Sequence, residues 1–363
     1  MATILFACGG TGGHLYPAIA MAEEILKQDR SAKIVFAGTK AKIEARVVPQ
    51  KGFEFHTIWI SGFSRRLTVN NLLFPVKVIT ALLQSFFLMK KVRPDVVVGT
   101  GGYVCGPVLF VSSLLGIPTV VHESNSFPGV TTRLLASRMT KVFITFDVTK
   151  KWLSPSAKTE LVGNPTREEL SLISKDESCK YFGLDPAKKT VFAFGGSLGA
   201  ASINKAMPEL VKDAVANDYQ VIWQTGESDW KSASSVPQHS NLKVMKYVDR
   251  MDCGYAAADV IVSRSGATTL AELTRLGKPA VLVPYPFAAA NHQEMNAETM
   301  VESGAAVMIK DNEIEKKLMI VVHGLLFDAT KQQHMAEQSR LLGKPNAGKE
   351  IAANILSMVR SRK

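Results

Sequence analysis

Short apolar runs alternate along the chain with longer stretches whose apolar positions recur at helical spacing. In the first half TILFAC, KIVFAG, FEFHTIWI, DVVVG, IPTVVHE and KVFITF read as strands, with helical patterns between most of them. Strands of this kind joined by helices predict a parallel, doubly wound sheet, so the fold class is α/β. After GNPTRE, residues 163–168, the scheme restarts with TVFAFGGSLGAASINKAM and continues through QVIWQTG, LKVMKYV, ADVIVSRSG, PAVLVPY and AAVMIK. The pattern predicts two Rossmann-like domains, residues 1–166 and 167–341. A tail helix within 342–363 is expected to pack back on the first domain through Ile351, Ile355 and Met358 or Val359. A length of 363 residues also suits two domains.

The two halves share one device. FACGGTGGH and FAFGGSLGA align Gly9, Gly10 and Gly13 with Gly195, Gly196 and Gly199, each set lying between an apolar strand and a helix. Such a turn lets backbone approach phosphate oxygens, and the helix after it presents unpaired amides and the positive end of its dipole. A single copy serves equally well for tight strand-to-helix packing; two copies at matching positions favour a ligand. Ligands of open parallel sheets collect at the carboxyl ends of the strands, where these turns sit, so a shared cleft between the domains is expected.

Several chemistries drop out. Gly10, Gly12 and Leu15 break the GxGxxG fingerprint and IVFAGTK ends without an acid, which disfavours a nicotinamide enzyme. There is no GxxxxGK[ST] and no DxD pair. Cys8, Cys105, Cys179 and Cys253 are scattered, which argues for a reducing compartment and against a zinc site. Neither a metal nor an organic cofactor is expected. The start, MATILFACGG, lacks the features of a signal peptide and no uninterrupted apolar run is long enough to span a bilayer, so a cytoplasmic location is expected.

A net charge of +11 attracts anions: nucleotide phosphates, lipid headgroups or nucleic acid. Residues 72–93, LLFPVKVITALLQSFFLMKKVR, are strongly apolar and close on Lys90, Lys91 and Arg93, with GFSRRL before them. This suits a patch that dips into an anionic membrane surface; a core helix with a basic end is the competing account. No basic cluster is interleaved with aromatics, so nucleic acid is not an expected partner.

Individual side chains carry the remaining chemistry. His14, in the first turn after the first glycine loop, suits a general base, with capping or phosphate contact as the alternative. In SRSGATTLAE, Ser265 is expected to cap a helix whose first turn carries Ala267, Thr268 and Thr269. Glu272 then lies within two turns of that terminus, placed for ribose hydroxyls unless it is a solvated carboxylate. Arg167 would neutralise a diphosphate or stand as a surface arginine. His122 follows a buried-looking run and is expected to be structural, while Glu123 and Asn125 offer acceptors and donors to a sugar.

Eight motifs in order, GGTGGHLYPA, GGYVCGP, HESN, GNPTR, FGGSLGA, YVDRM, SRSGATTLAEL and NHQEMNA, cover essentially the whole chain. On them the chain resembles the MurG family of bacterial peptidoglycan glycosyltransferases. That resemblance implies a GT-B fold and inverting transfer of N-acetylglucosamine from UDP-GlcNAc to the muramyl 4-hydroxyl of lipid I, forming lipid II. It places the donor in the second domain, the lipid acceptor in the first, and the enzyme on the cytoplasmic face of the plasma membrane. Carried over by residue, it puts Thr11, Gly12 and Gly13 at the donor sugar and phosphate and Asn125 at the sugar. Arg167 and Ser197 would contact UDP, and the backbone near Val248 would meet uracil. Ala267, Thr268, Thr269, Leu270, Ala271 and Glu272 would hold phosphate and ribose, and Gln293 would touch sugar hydroxyls. His292 and Ser124 stand where many or several relatives have glutamine, and neither is given a role. Related GT-B enzymes, such as a diacylglycerol glycosyltransferase or a UDP-sugar epimerase, and a non-catalytic nucleotide-binding scaffold remain as alternatives.

Overall fold

The computed structural model describes residues 1–62, 73–166, 170, 173–196, 198–233 and 236–360. The chain divides into two compact units, Met1–Thr166 with Pro345–Lys363, and Arg167–Lys344.

The first unit is built on a seven-stranded sheet of order β3-β2-β1-β4-β5-β6-β7, every pairing parallel. Its strands are β1 Thr3–Cys8, β2 Lys33–Gly38, β3 Glu54–Thr57, β4 Val96–Gly101, β5 Thr119–Glu123, β6 Lys141–Ile144 and β7 Thr159–Leu161. β1, β4 and β5 are buried almost throughout because helices cover both faces, which is why they read as continuous apolar runs. The long run FEFHTIWI yields only four residues of strand, and β7 was invisible to apolar patterning. Both are edge strands, where one side meets solvent and partly exposed residues suffice.

The second unit carries a six-stranded parallel sheet of order β10-β9-β8-β11-β12-β13. Its strands are β8 Thr190–Phe194, β9 Gln220–Gln224, β10 Leu242–Met245, β11 Val260–Ser263, β12 Ala280–Leu282 and β13 Val307–Met308. In both sheets the chain winds outward from the first strand, turns back, and continues on its other side. The reversal leaves the loops after β1 and β4, and after β8 and β11, side by side at the carboxyl ends.

The helix Ala347–Arg360 belongs to the first unit. Ile351, Ile355, Leu356 and Val359 are buried in one cluster with Leu15, Ile19, Ala22 and Ile25 of the helix Gly12–Gln28. Met358, three residues from Ile355, is only partly buried against that cluster. The glycine loop and its helix are thus backed by the end of the chain. Ile355→Ala is expected to destabilise the first unit by about 2–4 kcal/mol through lost burial and a residual cavity, read as a lowered midpoint in denaturant unfolding.

Candidate functional site

The first glycine turn runs from Cys8, at the end of β1, to Thr11, the extended residue before the helix Gly12–Gln28. Gly10 adopts φ +91°, a left-handed conformation that glycine enters without steric cost. The turn is wedged against the one that follows β4: a Cβ on Gly102 would stand 2.2 Å from the Gly9 carbonyl oxygen. The pairing of β1 with β4 shifts register between Ala7 and Cys8, where this crossing begins. Cys105 pins the second turn, its Sγ accepting from the Gly101 amide at 3.1 Å and lying 3.0 Å from the Ala7 carbonyl oxygen. Burial pushes that thiol up to about 12, so it stays protonated and can donate.

His14 lies over this junction. Its ring occupies the space above Gly101, where a Cβ would come within 2.4 Å of Cδ2. Nδ1 sits 3.2 Å from the Gly9 carbonyl oxygen and 3.3 Å from Thr11 Oγ1. A carbonyl only accepts, so Nδ1 carries the proton, and in the neutral ring the lone pair lies on Nε2. Through Nδ1 the ring donates to a carbonyl rather than accepting from a helix amide. Thr11 makes no side-chain cap bond either. Gly12 and Gly13 supply the first two amides of the helix, donors without an intrahelical acceptor.

Beneath this loop lies a carboxylate that the sequence patterns did not point to. Glu44 is fully buried. One of its oxygens accepts from the Gly10 amide at 3.2 Å, and the other accepts from the Thr39 amide and hydroxyl at 3.0 and 2.6 Å. One amide of the first turn is therefore committed to an internal anion, and a further anion brought to that turn meets a negative charge below it. Only the position of Glu44 just after β2 could have hinted at this.

Around Asn125 the arrangement differs from expectation in one respect. Glu123 was expected to offer acceptors to a sugar, but it is buried and both its oxygens are taken. Oε1 accepts from the amide and side chain of Asn125, and Oε2 from the Gly129 amide and the Thr132 hydroxyl. Its work is to shape the loop that presents Asn125. His122 is buried, donates Nε2–H to the Gly163 carbonyl at 2.9 Å, and is held below its usual pKa by burial, which makes it a neutral structural residue.

The corresponding turn of the second unit is built without a charge. Gly199 and Gly226, with φ of +88° and +77°, let the turn after β8 press on the turn after β9; a Cβ on Gly199 would stand 2.2 Å from the Thr225 carbonyl oxygen. Here the neutral Gln224 ties the loops, donating to the Gly196 carbonyl at 3.0 Å and accepting from the Val248 amide at 2.9 Å. Ser197 lies outside the described residues, as does Arg167.

β11 leads into the helix Ala267–Leu276 through Arg264, Ser265 and Gly266. Ser265 was expected to cap this helix. The structure assigns that position to Gly266, which lacks a side chain to bond the first turn, while the buried Ser265 hydroxyl donates to the Gln293 carbonyl at 2.7 Å. The helix start is consequently bare. Nothing lies within 4 Å of a Cβ added at Gly266, and the amides of Ala267, Thr268 and Thr269 open the helix there. Leu270 is buried against the sheet and serves packing; Ala271 is half-buried. Glu272 is not a solvated carboxylate: it is buried, and Tyr255 donates its hydroxyl to Oε2 at 2.7 Å. Gln293 stands near the start of the helix His292–Glu302 with its Oε1 accepting from the Tyr285 amide. The preceding loop holds Ala290 and Asn291 at φ of +51° and +57°, strain of the kind that gathers at ligand-binding loops. Arg264 ties this region together, donating to the Val283 and Pro284 carbonyls, to Ser202 and to Asp311.

With this geometry in hand, comparison with known proteins is informative. Residues 4–144 match the model of the glycosyltransferase family 28 N-terminal domain and residues 190–353 that of its C-terminal domain. The chain belongs to glycosyltransferase family 28. A family 28 relative from Flavobacterium psychrophilum, named UDP-N-acetylglucosamine–N-acetylmuramyl-(pentapeptide) pyrophosphoryl-undecaprenol N-acetylglucosamine transferase, is 38% identical over 98% of this chain and 97% of its own. The protein of the same name from Desulfitobacterium hafniense strain Y51 is 41% identical, with 96% and 97% covered. Among solved structures, Acinetobacter baumannii MurG matches with a TM-score of 0.78 and 26% identity over 98% of this chain and 100% of that one. A UDP-GlcNAc 2-epimerase from Neisseria meningitidis, bound to UDP-GlcNAc, matches at 0.66 and 16% identity, covering 98% and 100%, a likeness of fold alone. The two Rossmann-like units are those of a GT-B glycosyltransferase of family 28.

Glu44→Ala is expected to cost about 2–4 kcal/mol, since it opens a cavity at a fully buried position and strips the partly buried Gly10 and Thr39 donors of their acceptor. Chemical denaturation followed by tryptophan fluorescence and by circular dichroism reads the loss.

Proposed function

We propose that this enzyme transfers N-acetylglucosamine from UDP-GlcNAc to the muramyl 4-hydroxyl of lipid I, forming lipid II for peptidoglycan. The observation that carries the reading is the near-full-length likeness to transferases of that printed name at 36–41% identity. The second unit would take the donor and the first the acceptor.

The start of the helix Ala267–Leu276 supports the donor assignment. A diphosphate is attracted by uncapped helix amides such as those of Ala267, Thr268 and Thr269, whereas the Gly10 amide of the first turn is already committed to Glu44. The diphosphate would meet the amides of Ala267, Thr268 and Thr269, joined by Arg167 and Ser197. Glu272, oriented by Tyr255, would accept from a ribose hydroxyl. With the Val248 amide committed to Gln224, the Val248 carbonyl would accept the uracil N3–H. Gln293 and Asn125 would bind sugar hydroxyls, and Thr11, Gly12 and Gly13 would border the sugar, with the phosphates of the donor left to the second unit.

In the transfer the 4-hydroxyl oxygen attacks the anomeric carbon as the bond to UDP breaks, with inversion. UDP leaves with the bonding pair, its charge met by preorganised helix amides. His14 Nε2 takes the hydroxyl proton, its tautomer set by the Gly9 carbonyl.

The helix Phe74–Val92 supports an acceptor unit that works at a membrane. Val76, Ile79, Leu83, Phe86 and Phe87 are exposed along one stripe, while the buried side uses the small Ala81 and Ser85 with Leu88 and Met89. Lys90 and Lys91 close the helix and Lys90 lies over the Phe86 ring. GFSRRL lies, apart from Gly62, outside the described residues. No described helix is long and apolar enough to cross a membrane. A peripheral position on the anionic inner face of the plasma membrane follows from the proposed lipid substrate.

Radiolabelled sugar from UDP-GlcNAc should pass to a lipid I analogue and not to diacylglycerol; transfer to diacylglycerol alone would overturn the assignment. His14→Ala should lower turnover by about a hundredfold or more while leaving the fold unchanged, and an unaltered rate would remove His14 as base. In vesicle flotation, the double variant Ile79→Asp, Phe87→Asp should release the protein from liposomes containing anionic lipid, whereas retention at wild-type levels would place the membrane contact elsewhere.

A further inference from the structure

The second unit carries another basic recess, at the opposite end of its sheet from the glycine turns. Asp259 and Lys278 stand just before β11 and β12, at their amino ends, whereas the residues assigned above follow the carboxyl ends. Here a cavity of about 310 Å³ opens between the carboxyl end of the helix Ala267–Leu276 and one face of the helix Ala329–Leu342. Ala329, Gln332, Ala336 and Arg340 of that second helix line it at helical spacing.

The charges lining this cavity are unbalanced. Its one carboxylate, Asp259, is already committed: both its oxygens accept from Lys175 Nζ, at 3.1 and 3.0 Å, and one also accepts from the Thr190 amide. Lys278 Nζ donates to the Ala258 carbonyl at 2.7 Å, and among the described residues no carboxylate bonds it or Arg340. Burial drives the Lys278 amine down to about 8; Asp259 opposes that shift, and Lys175 and Arg340 add to it. Arg340 reaches the recess by laying its stem across Gly277, whose missing Cβ would stand 2.3 Å from Arg340 Cγ. Two lining cations, Lys278 and Arg340, thus share the recess with one carboxylate that Lys175 already satisfies and with the carboxyl end of one helix, which counts for about half a charge.

We propose that this recess is a binding site for a small phosphate-bearing anion, separate from the glycosyl-transfer site. Arg340 offers a planar fork to two oxygens and Lys278 a point charge with donors to spare. The volume is at the lower limit for small-molecule pockets, about 300 Å³, which fits pyrophosphate or a small phosphorylated metabolite better than a nucleotide sugar. The helix Ala267–Leu276 runs from the start assigned to the donor diphosphate to the end that borders this recess, so both sites share one rigid element.

Isothermal titration of the full chain with pyrophosphate, in saturating UDP to occupy the donor site, tests the proposal. One binding event is expected, weakened by about tenfold or more in Arg340→Met, which keeps the stem over Gly277 and removes the fork. Lys278→Met should weaken it similarly, as should Gln333→Glu, which adds a negative charge at the exposed rim without altering the packed residues. Absence of a pyrophosphate signal in the wild type, or equal affinity in wild type and Arg340→Met, would overturn it.

Discussion

The structure depends on the close approach of backbone to backbone at the carboxyl ends of its two sheets. The Gly9 carbonyl meets Gly102, and the Thr225 carbonyl meets Gly199, at separations that leave no room for a Cβ. Close packing of two turns forces their polar groups to find partners inside the protein, and the two units solve this differently. The first uses an ionised residue type, Glu44, and the second a neutral one, Gln224. A repeated sequence motif thereby acquires two electrostatic characters. The first loop spends one amide on Glu44 and orients His14; the bare start of the helix Ala267–Leu276 in the second unit suits the diphosphate of a nucleotide.

Much of this was legible in the sequence. Both sheets appear as apolar runs because helices bury their strands on both faces, and the glycine turns stand out because only glycine tolerates the φ of Gly10, Gly196 and Gly199. The motif order also carried the family. What stayed hidden is long-range pairing. Glu44 lies 34 residues from the amide it accepts, and nothing local distinguishes it from a surface glutamate on a short helix. Tyr255 and Glu272, 17 residues apart, meet only because neighbouring helices pack on β8 and β11. Ser265 departs from the cap that sequence suggests for a related reason: a serine before a helix fits a cap by local rules, but the backbone carbonyl of Gln293 claims its hydroxyl. Glu123 likewise turned inward to hold its own loop.

The helix Phe74–Val92 is a case in which sequence left two accounts open, and the exposure of its apolar residues supports the membrane one. Val76, Ile79, Leu83, Phe86 and Phe87 face outward, whereas its buried side includes the small Ala81 and Ser85 beside Leu88 and Met89. Such exposure is costly in water unless another apolar phase covers it, and a lipid acceptor supplies one. The second unit shows no comparable stripe on the helices Ala267–Leu276, His292–Glu302 and Ala329–Leu342, and it carries instead a recess lined by Lys278 and Arg340. The two units share an architecture while differing in what their surfaces are suited to meet.

The central claim is that the diphosphate of UDP belongs to the helix start at Gly266–Thr269 in the second unit and not to the glycine turn of the first. Hydrogen-exchange mass spectrometry of the whole protein, with and without UDP, tests it directly. The account predicts that UDP slows exchange in peptides spanning Gly266 to Glu272 and leaves those spanning Gly9 to Leu15 at their unliganded rates. Protection confined to Gly9–Leu15, with Gly266–Glu272 unchanged, would contradict it.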